Sequence, residues 1–192
     1  MAGGVAEPSV AALREEQAAR PLNDLRAAIR AGDTRSMPLS GLTLWSIGAV
    51  LGLFLSPVAF AYAVLWGTGL ILPLAVLIAR ARGFDFFTGR ENPLLQLFLQ
   101  SILFVAALYP IAFIGAPGRP TLLVLYPAIA AGLIWIPWGW TADDPVGLRH
   151  AIGRTIACYT AYALVPQPWT GSAICLAVVI AYVYSLLAMR RA

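Results

Sequence analysis

Lysine is absent from this chain of 192 residues, histidine occurs once, cysteine twice, and charged residues make up only 11%. Set against 60% hydrophobic residues and a mean hydropathy of +0.78, so little charge excludes a soluble globular domain. It predicts an all-α polytopic membrane protein. The net charge of +4 comes wholly from thirteen arginines, and in so oily a chain those cations belong on lipid headgroups. No exposed basic stripe with interleaved aromatics is present, so nucleic acid is not expected as a partner. The signatures GxSxG, HExxH, CxxC and the Walker loop are missing too, which removes common enzyme chemistries. No ionisable residue is expected at the middle of any span. That argues against a carboxylate proton relay and against the acid pairs of membrane hydrolases and metal-dependent lipid transferases.

What is present is a long apolar sequence with one charged interruption. Residues 1–36 are polar and rich in Ala, Arg and Glu, too long a leader for a secretory signal, and are expected to remain as a cytoplasmic tail. Within it Pro21 opens a short amphipathic helix, Leu22, Leu25 and Ile29 follow at helical spacing, and Gly32 stops it. Arg26, Arg30 and Arg35 can hold this helix against anionic headgroups, and a solvated, half-ordered tail is the equal alternative. Residues 37–192 read as a six-span transmembrane domain, with spans at about 38–55, 58–79, 94–114, 120–140, 148–165 and 170–189.

The run from Ser36 to Ala79 holds 44 residues without a charge, two crossings at about 20 residues each, divided at Ser56-Pro57. Gly48 and Gly52 form a GxxxG spacing, and Gly67 and Gly69 offer a second site of close approach, both within the chain. The interruption, Ala79 to Gln100, contains Arg80, Arg82, Asp85, Arg90 and Glu91 and reads as a cytoplasmic elbow. Asn92 caps the third span, Pro93 takes its first position, and Gly115, Pro117 and Gly118 end it. In the fourth, Pro127 and Pro137 each invite a kink, and Trp135, Trp138 and Trp140 form an aromatic belt at headgroup level. The fifth holds Arg149, His150 and Arg154, with Arg154 expected to snorkel to the near interface. With both termini cytoplasmic, twelve of thirteen arginines lie inside and only Arg119 outside, whereas five spans would also export Arg190 and Arg191. This topology puts Cys158 in the inner half and Cys175 toward the outer side. A disulfide needs Cα atoms within about 7 Å, so both are expected as reduced packing residues.

Two sets of polar residues are candidate sites. Thr155, Cys158, Tyr159 and Tyr162 share one face of the fifth span and Gln96 and Gln100 lie one turn apart on the third, a polar seam that either bonds helices together or lines a small cavity. Asp85, Asp143, Asp144, His150 and Arg154 form a candidate cluster at the cytoplasmic face, with Glu91 near it. Their spacing matches no metal motif, and Asp144-Pro145 reads as a turn that starts a helix. No metal, cofactor or catalytic residue is expected.

Asp24-Leu25-Arg26, the segment GLILPLAVLIAR from Gly69 to Arg80, then Gly83, Asp85, Phe87 and Glu91-Asn92-Pro93-Leu94 together resemble an uncharacterised family of small bacterial multi-span membrane proteins, a domain of unknown function. The resemblance covers about Leu22 to Met189. It implies the membrane topology and no activity. The chain departs from that pattern in the fourth span, where Gly132, Ile134 and Pro137-Trp138 stand and the family's histidine is absent.

The first expectation is a non-enzymatic inner-membrane protein for binding, scaffolding or an accessory role. The alternative is a small-solute transporter or channel acting as an oligomer, and third comes an enzyme on lipid headgroups at the cytoplasmic interface. Membrane lipids are the expected partners, with further copies of the chain or another membrane protein beside them.

Overall fold

The computed structural model describes residues 9–115 and 118–189, and every regular element among them is a helix. In chain order these are α1 (Val10–Ala18), α2 (Leu22–Ala31), α3 (Ser36–Leu51), α4 (Pro57–Gly69), α5 (Ile71–Ala81), α6 (Pro93–Gly115), α7 (Pro120–Leu133), α8 (Trp135–Ala142), α9 (Val146–Leu164) and α10 (Thr170–Ala188). Pro117, Arg190 and Arg191, used above for topology and orientation, lie outside the described residues.

Three stretches are long and apolar enough to cross a membrane: Pro93–Ile114, Pro120–Ala142 and Thr170–Ala188. Counting α4 and α5 as one bent span makes four. The other two expected crossings exist as helices of different character. α3 has 16 residues, about 24 Å at 1.5 Å per residue. α9 has 19, enough length, but Arg149, His150 and Arg154 interrupt its apolar surface.

Prolines set the breaks. Pro73 has no N–H to offer the Gly69 carbonyl, and the chain turns by 47° between α4 and α5. Gly67 and Gly69, expected as close-approach sites, have open space around their Cα atoms and sit at this bend. Pro137 deprives the Leu133 carbonyl in the same way, and the helix is interrupted at Ile134. Pro127 lies within continuous helix. At the elbow, Asn92 Oδ1 accepts the Leu94 N–H at 2.9 Å, so α6 starts where the Asn-Pro pair predicts.

α10 forms the centre of the bundle, packed chiefly on α9 and α3 and also on α7. The core comprises residues such as Trp45, Phe60, Val64, Val124, Ala128, Ile174, Val178 and Tyr182. Gly48 and Gly52 serve intrachain packing, because a Cβ on Gly48 would meet Cys175 Sγ at 3.3 Å and one on Gly52 would strike Ser172. Gly139 and Gly147 bring α8 and α9 together backbone to backbone, with the Gly147 Cα 2.8 Å from where a Gly139 Cβ would stand. α6 is different: only 11% of its apolar window is buried.

Cys158 and Cys175 are free and buried. Their depths differ from the expectation above. α9 and α10 form a hairpin, Cys158 lies six residues before Leu164 and Cys175 five after Thr170, so both sit about 8–9 Å from the turn.

Candidate functional site

Arg154 lies eight residues from the start of α9 and ten from its end, and it is 0% exposed. It does not snorkel. Its Nε donates to the Ala128 carbonyl of α7, and its guanidinium lies 5.4 Å from the Trp45 ring centre and 5.3 Å from that of Tyr182. Gly132 makes the room, since a Cβ there would stand 2.9 Å from Arg154 Cδ. With its carbons packed between α3, α7 and α10, the side chain cannot extend along α9 to an interface. The expectation of spans free of central ionisable groups is therefore corrected.

His150, one turn earlier on α9, is buried beside it, with Nε2 3.5 Å from Arg154 Nη1 and Nδ1 2.7 Å from Ser185 Oγ. A guanidinium has only hydrogens to give, so Nε2 is the acceptor and the ring proton sits on Nδ1, donating to Ser185. His150 is held as the neutral tautomer. Trp135 stacks on it at 4.0 Å, and Tyr182 meets both rings edge-on, 5.9 Å from Trp135 and 5.2 Å from His150. Trp135 thus faces the bundle interior, not the lipid belt expected of it. Trp140 remains exposed, with Arg26 5.0 Å over its ring.

On the other side of Trp135 and Tyr182 is a cavity of about 1080 Å³. Its walls come from α2, the start of α3, the α4–α5 bend, α6 and the α7–α8 junction. The lining on α6 runs from Leu95 to Phe113, about 27 Å of helix. Most of it is apolar, with Trp66, Leu72, Phe98, Ile102, Val105 and Ile134 among the lining residues. Deep in the cavity the polar contact is Thr68 Oγ1 to Tyr109 Oη at 3.1 Å. At the elbow end the rim is charged, with Arg20, Asp33, Asp85, Arg90 and Glu91.

That rim is tied to the tail. Asn92 Nδ2 donates to the Leu25 carbonyl of α2 at 3.0 Å, Arg30 Nη1 donates to the Ala142 carbonyl at 3.1 Å, and Arg26 and Arg30 pair with Asp143 at 3.6 and 3.8 Å. Asp33 anchors the other side: its carboxylate takes Arg82 at 2.6 Å and the backbone N–H groups of Arg35 and Ser36. Burial raises the Asp33 carboxyl, but bonds from the Ser36 side chain, the two N–H groups and Arg82 outweigh it and hold the group below its ordinary 3.8.

The structure separates the residues of both candidate sets. In the cluster, Asp85 Oδ1 caps the Phe87 N–H within the elbow, Asp144 Oδ1 caps Val146 N–H as the turn chemistry predicts, and Asp143 faces α2. His150 and Arg154 come together, inside the bundle. Among the described residues, no three of His, Cys, Asp and Glu group as a metal-holding set. In the seam, α7 and α8 stand between α6 and α9, each packing on both. Gln96 donates to the Arg90 carbonyl, Gln100 is exposed, Cys158 is buried and Tyr159 is exposed. Thr155 Oγ1 is buried without a hydrogen-bond partner and Tyr162 packs beside the core.

The pairing of Arg154 with Trp45, Ala128 and Tyr182 was missed by sequence reasoning, although Gly132 gave a signal. A family model covering residues 22–191 matches this chain. The chain belongs to DUF7010, a family of unknown function. The match to DUF7010 covers all helices from α2 to α10 and the cavity walls they form, and leaves out Gln17 and Arg20 of the lining. No curated protein and no solved structure matches the chain.

Proposed function

We propose that this chain is an inner-membrane protein with six crossings and cytoplasmic termini, and that it binds a single amphiphile without transforming it. The cavity carries this reading. Apolar walls about 27 Å long with a charged rim at one end fit an acyl chain that carries a polar head; a hydrophilic solute gains nothing from such walls. Topology draws its support from the same end, where α2, the elbow and the α8–α9 turn gather arginines 26, 30, 82 and 90.

Asp85 caps the elbow, Asp143 pairs with Arg26 and Arg30 and Asp144 caps α9, engagements that speak against the headgroup enzyme's acid and base. Native mass spectrometry of the full chain released from mild detergent tests the binding reading. A lipid-sized adduct is expected to survive on the wild type and to be lost in Ala106→Trp, which fills the α6 side of the cavity. A wild type that flies bare under conditions that keep other lipid adducts would overturn it.

A further inference from the structure

Arg154 is fully buried and its Nη2 has no hydrogen-bond partner among the described residues. Trp45, whose ring it faces at 5.4 Å, also buries an unpartnered Nε1. Both atoms are pure donors. Among the described residues the guanidinium meets a backbone carbonyl, the neutral His150 ring and two aromatic faces, and none of these carries a negative charge. A buried cation without a counter-charge is among the costliest arrangements in a fold, more so in a chain surrounded by lipid. The site calls for an acceptor with negative charge.

The wall between this site and the cavity is thin. Trp135 and Tyr182 line the cavity and also touch His150 and, for Tyr182, Arg154. Gly41 is what lets Tyr182 stand there, because a Cβ at Gly41 would overlap the phenol ring. Arg154 and Trp45 do not themselves line the cavity, so a ligand reaches them where the Tyr182 ring turns aside.

We infer that Arg154, assisted by the Trp45 N–H, is the anion-binding group for the ligand of the cavity, and that this ligand is an acyl-chain acid, a carboxylate or phosphate oxyanion carried on a hydrocarbon tail. The inference rests on the cavity reading above and names the chemistry of its occupant. Arg154 supplies the charge and, through Nη2, a charge-assisted bond. Ala128 and His150 fix the orientation of its fork. Serving one acid by the deep end means the tail points back toward the elbow or out past α6, opposite to a head held at the rim. Arg154 and the rim therefore compete for the head, and binding data on acids and alcohols distinguish them.

The full chain in neutral detergent, followed by thermal unfolding with hexadecanoic acid, hexadecyl phosphate, hexadecanol or inorganic phosphate, tests this. Both acids are expected to bind roughly tenfold or more tightly than the alcohol, the increment of a hydrogen bond to a charged group. Arg154→Gln is expected to erase the preference for acid while still binding hexadecanol, and Trp45→Phe, which keeps the ring and removes the N–H, to cut it several-fold. If Arg154→Gln does not fold, Trp45→Phe and the wild-type contrast decide. Equal binding of acid and alcohol overturns the inference and leaves the cavity reading standing; no binding of either overturns both. Acid preference untouched by Trp45→Phe and Arg154→Gln assigns the head to the rim and overturns the role of Arg154. Stabilisation by inorganic phosphate alone assigns a free anion and overturns the acyl-chain source.

Discussion

Glycine 147 and glycine 153 stand two turns apart on α9 and meet opposite surroundings. A Cβ on Gly147 would collide with the Trp135 carbonyl and with the Gly139 backbone, whereas one on Gly153 meets nothing within 4 Å. Backbone cannot step aside as a flexible side chain does, so Gly147→Ala is expected to cost about 3 kcal/mol or to prevent packing of α8 on α9. Gly153→Ala is expected to gain about 0.5–1 kcal/mol, the difference in helix preference. Thermal unfolding of the two variants in one detergent checks both signs. The same scale shows why Arg154 was unreadable in advance. Its place six residues into the expected fifth span was plain, but an arginine's long stem reaches either an interface or a core, and only the clearance at Gly132 and the carbonyl of Ala128 decide which.

At the scale of elements, the sequence marks beginnings and ends better than it marks contacts. Asn92-Pro93 and Pro21 to Gly32 bound α6 and α2 because capping and proline chemistry act within a few residues. The bend at Leu70 was carried by Pro73, a residue read only as part of an apolar run. The two halves of the polar seam failed to meet because facing directions depend on which helix stands between, here α7 and α8. Asp33, which joins α2 to the elbow through Arg82, gives an acid-sensitive clamp. A carboxyl held below 3.8 in the fold contributes stability above that value, and the contribution is lost as pH falls through the lower folded value. Peptic cleavage in the elbow is expected to rise as pH is lowered from about 4 through the acid range below 3.8. Asp33→Asn should be cleaved to the same extent at both ends of that range.

Among the described residues the molecule is an all-helical bundle, as apolar content predicts, but neither its centre, α10 with α3, α7 and α9, nor its crossings follow from that content, since α6 has the most apolar window and the least buried one. Length and composition qualify three helices, or four with the bent pair. The six crossings proposed here need a short α3 and a charged α9 to be shielded by their neighbours, which composition cannot show. A reporter fused after Ala192 is expected to remain in the cytoplasm, and an extracytoplasmic signal would remove the six-span arrangement.

The backbone contact of Gly139 with Gly147 has a mechanical consequence. Two helices locked without side chains between them behave as one rigid corner, so the α8–α9 corner behind Trp135 is the stiff side of the cavity. α6, with only 11% of its apolar window buried, is the wall least held by its neighbours. A ligand of the cavity is then expected to enter past α6 from the bilayer, at a rate set by its mole fraction in the membrane and not by its concentration in water.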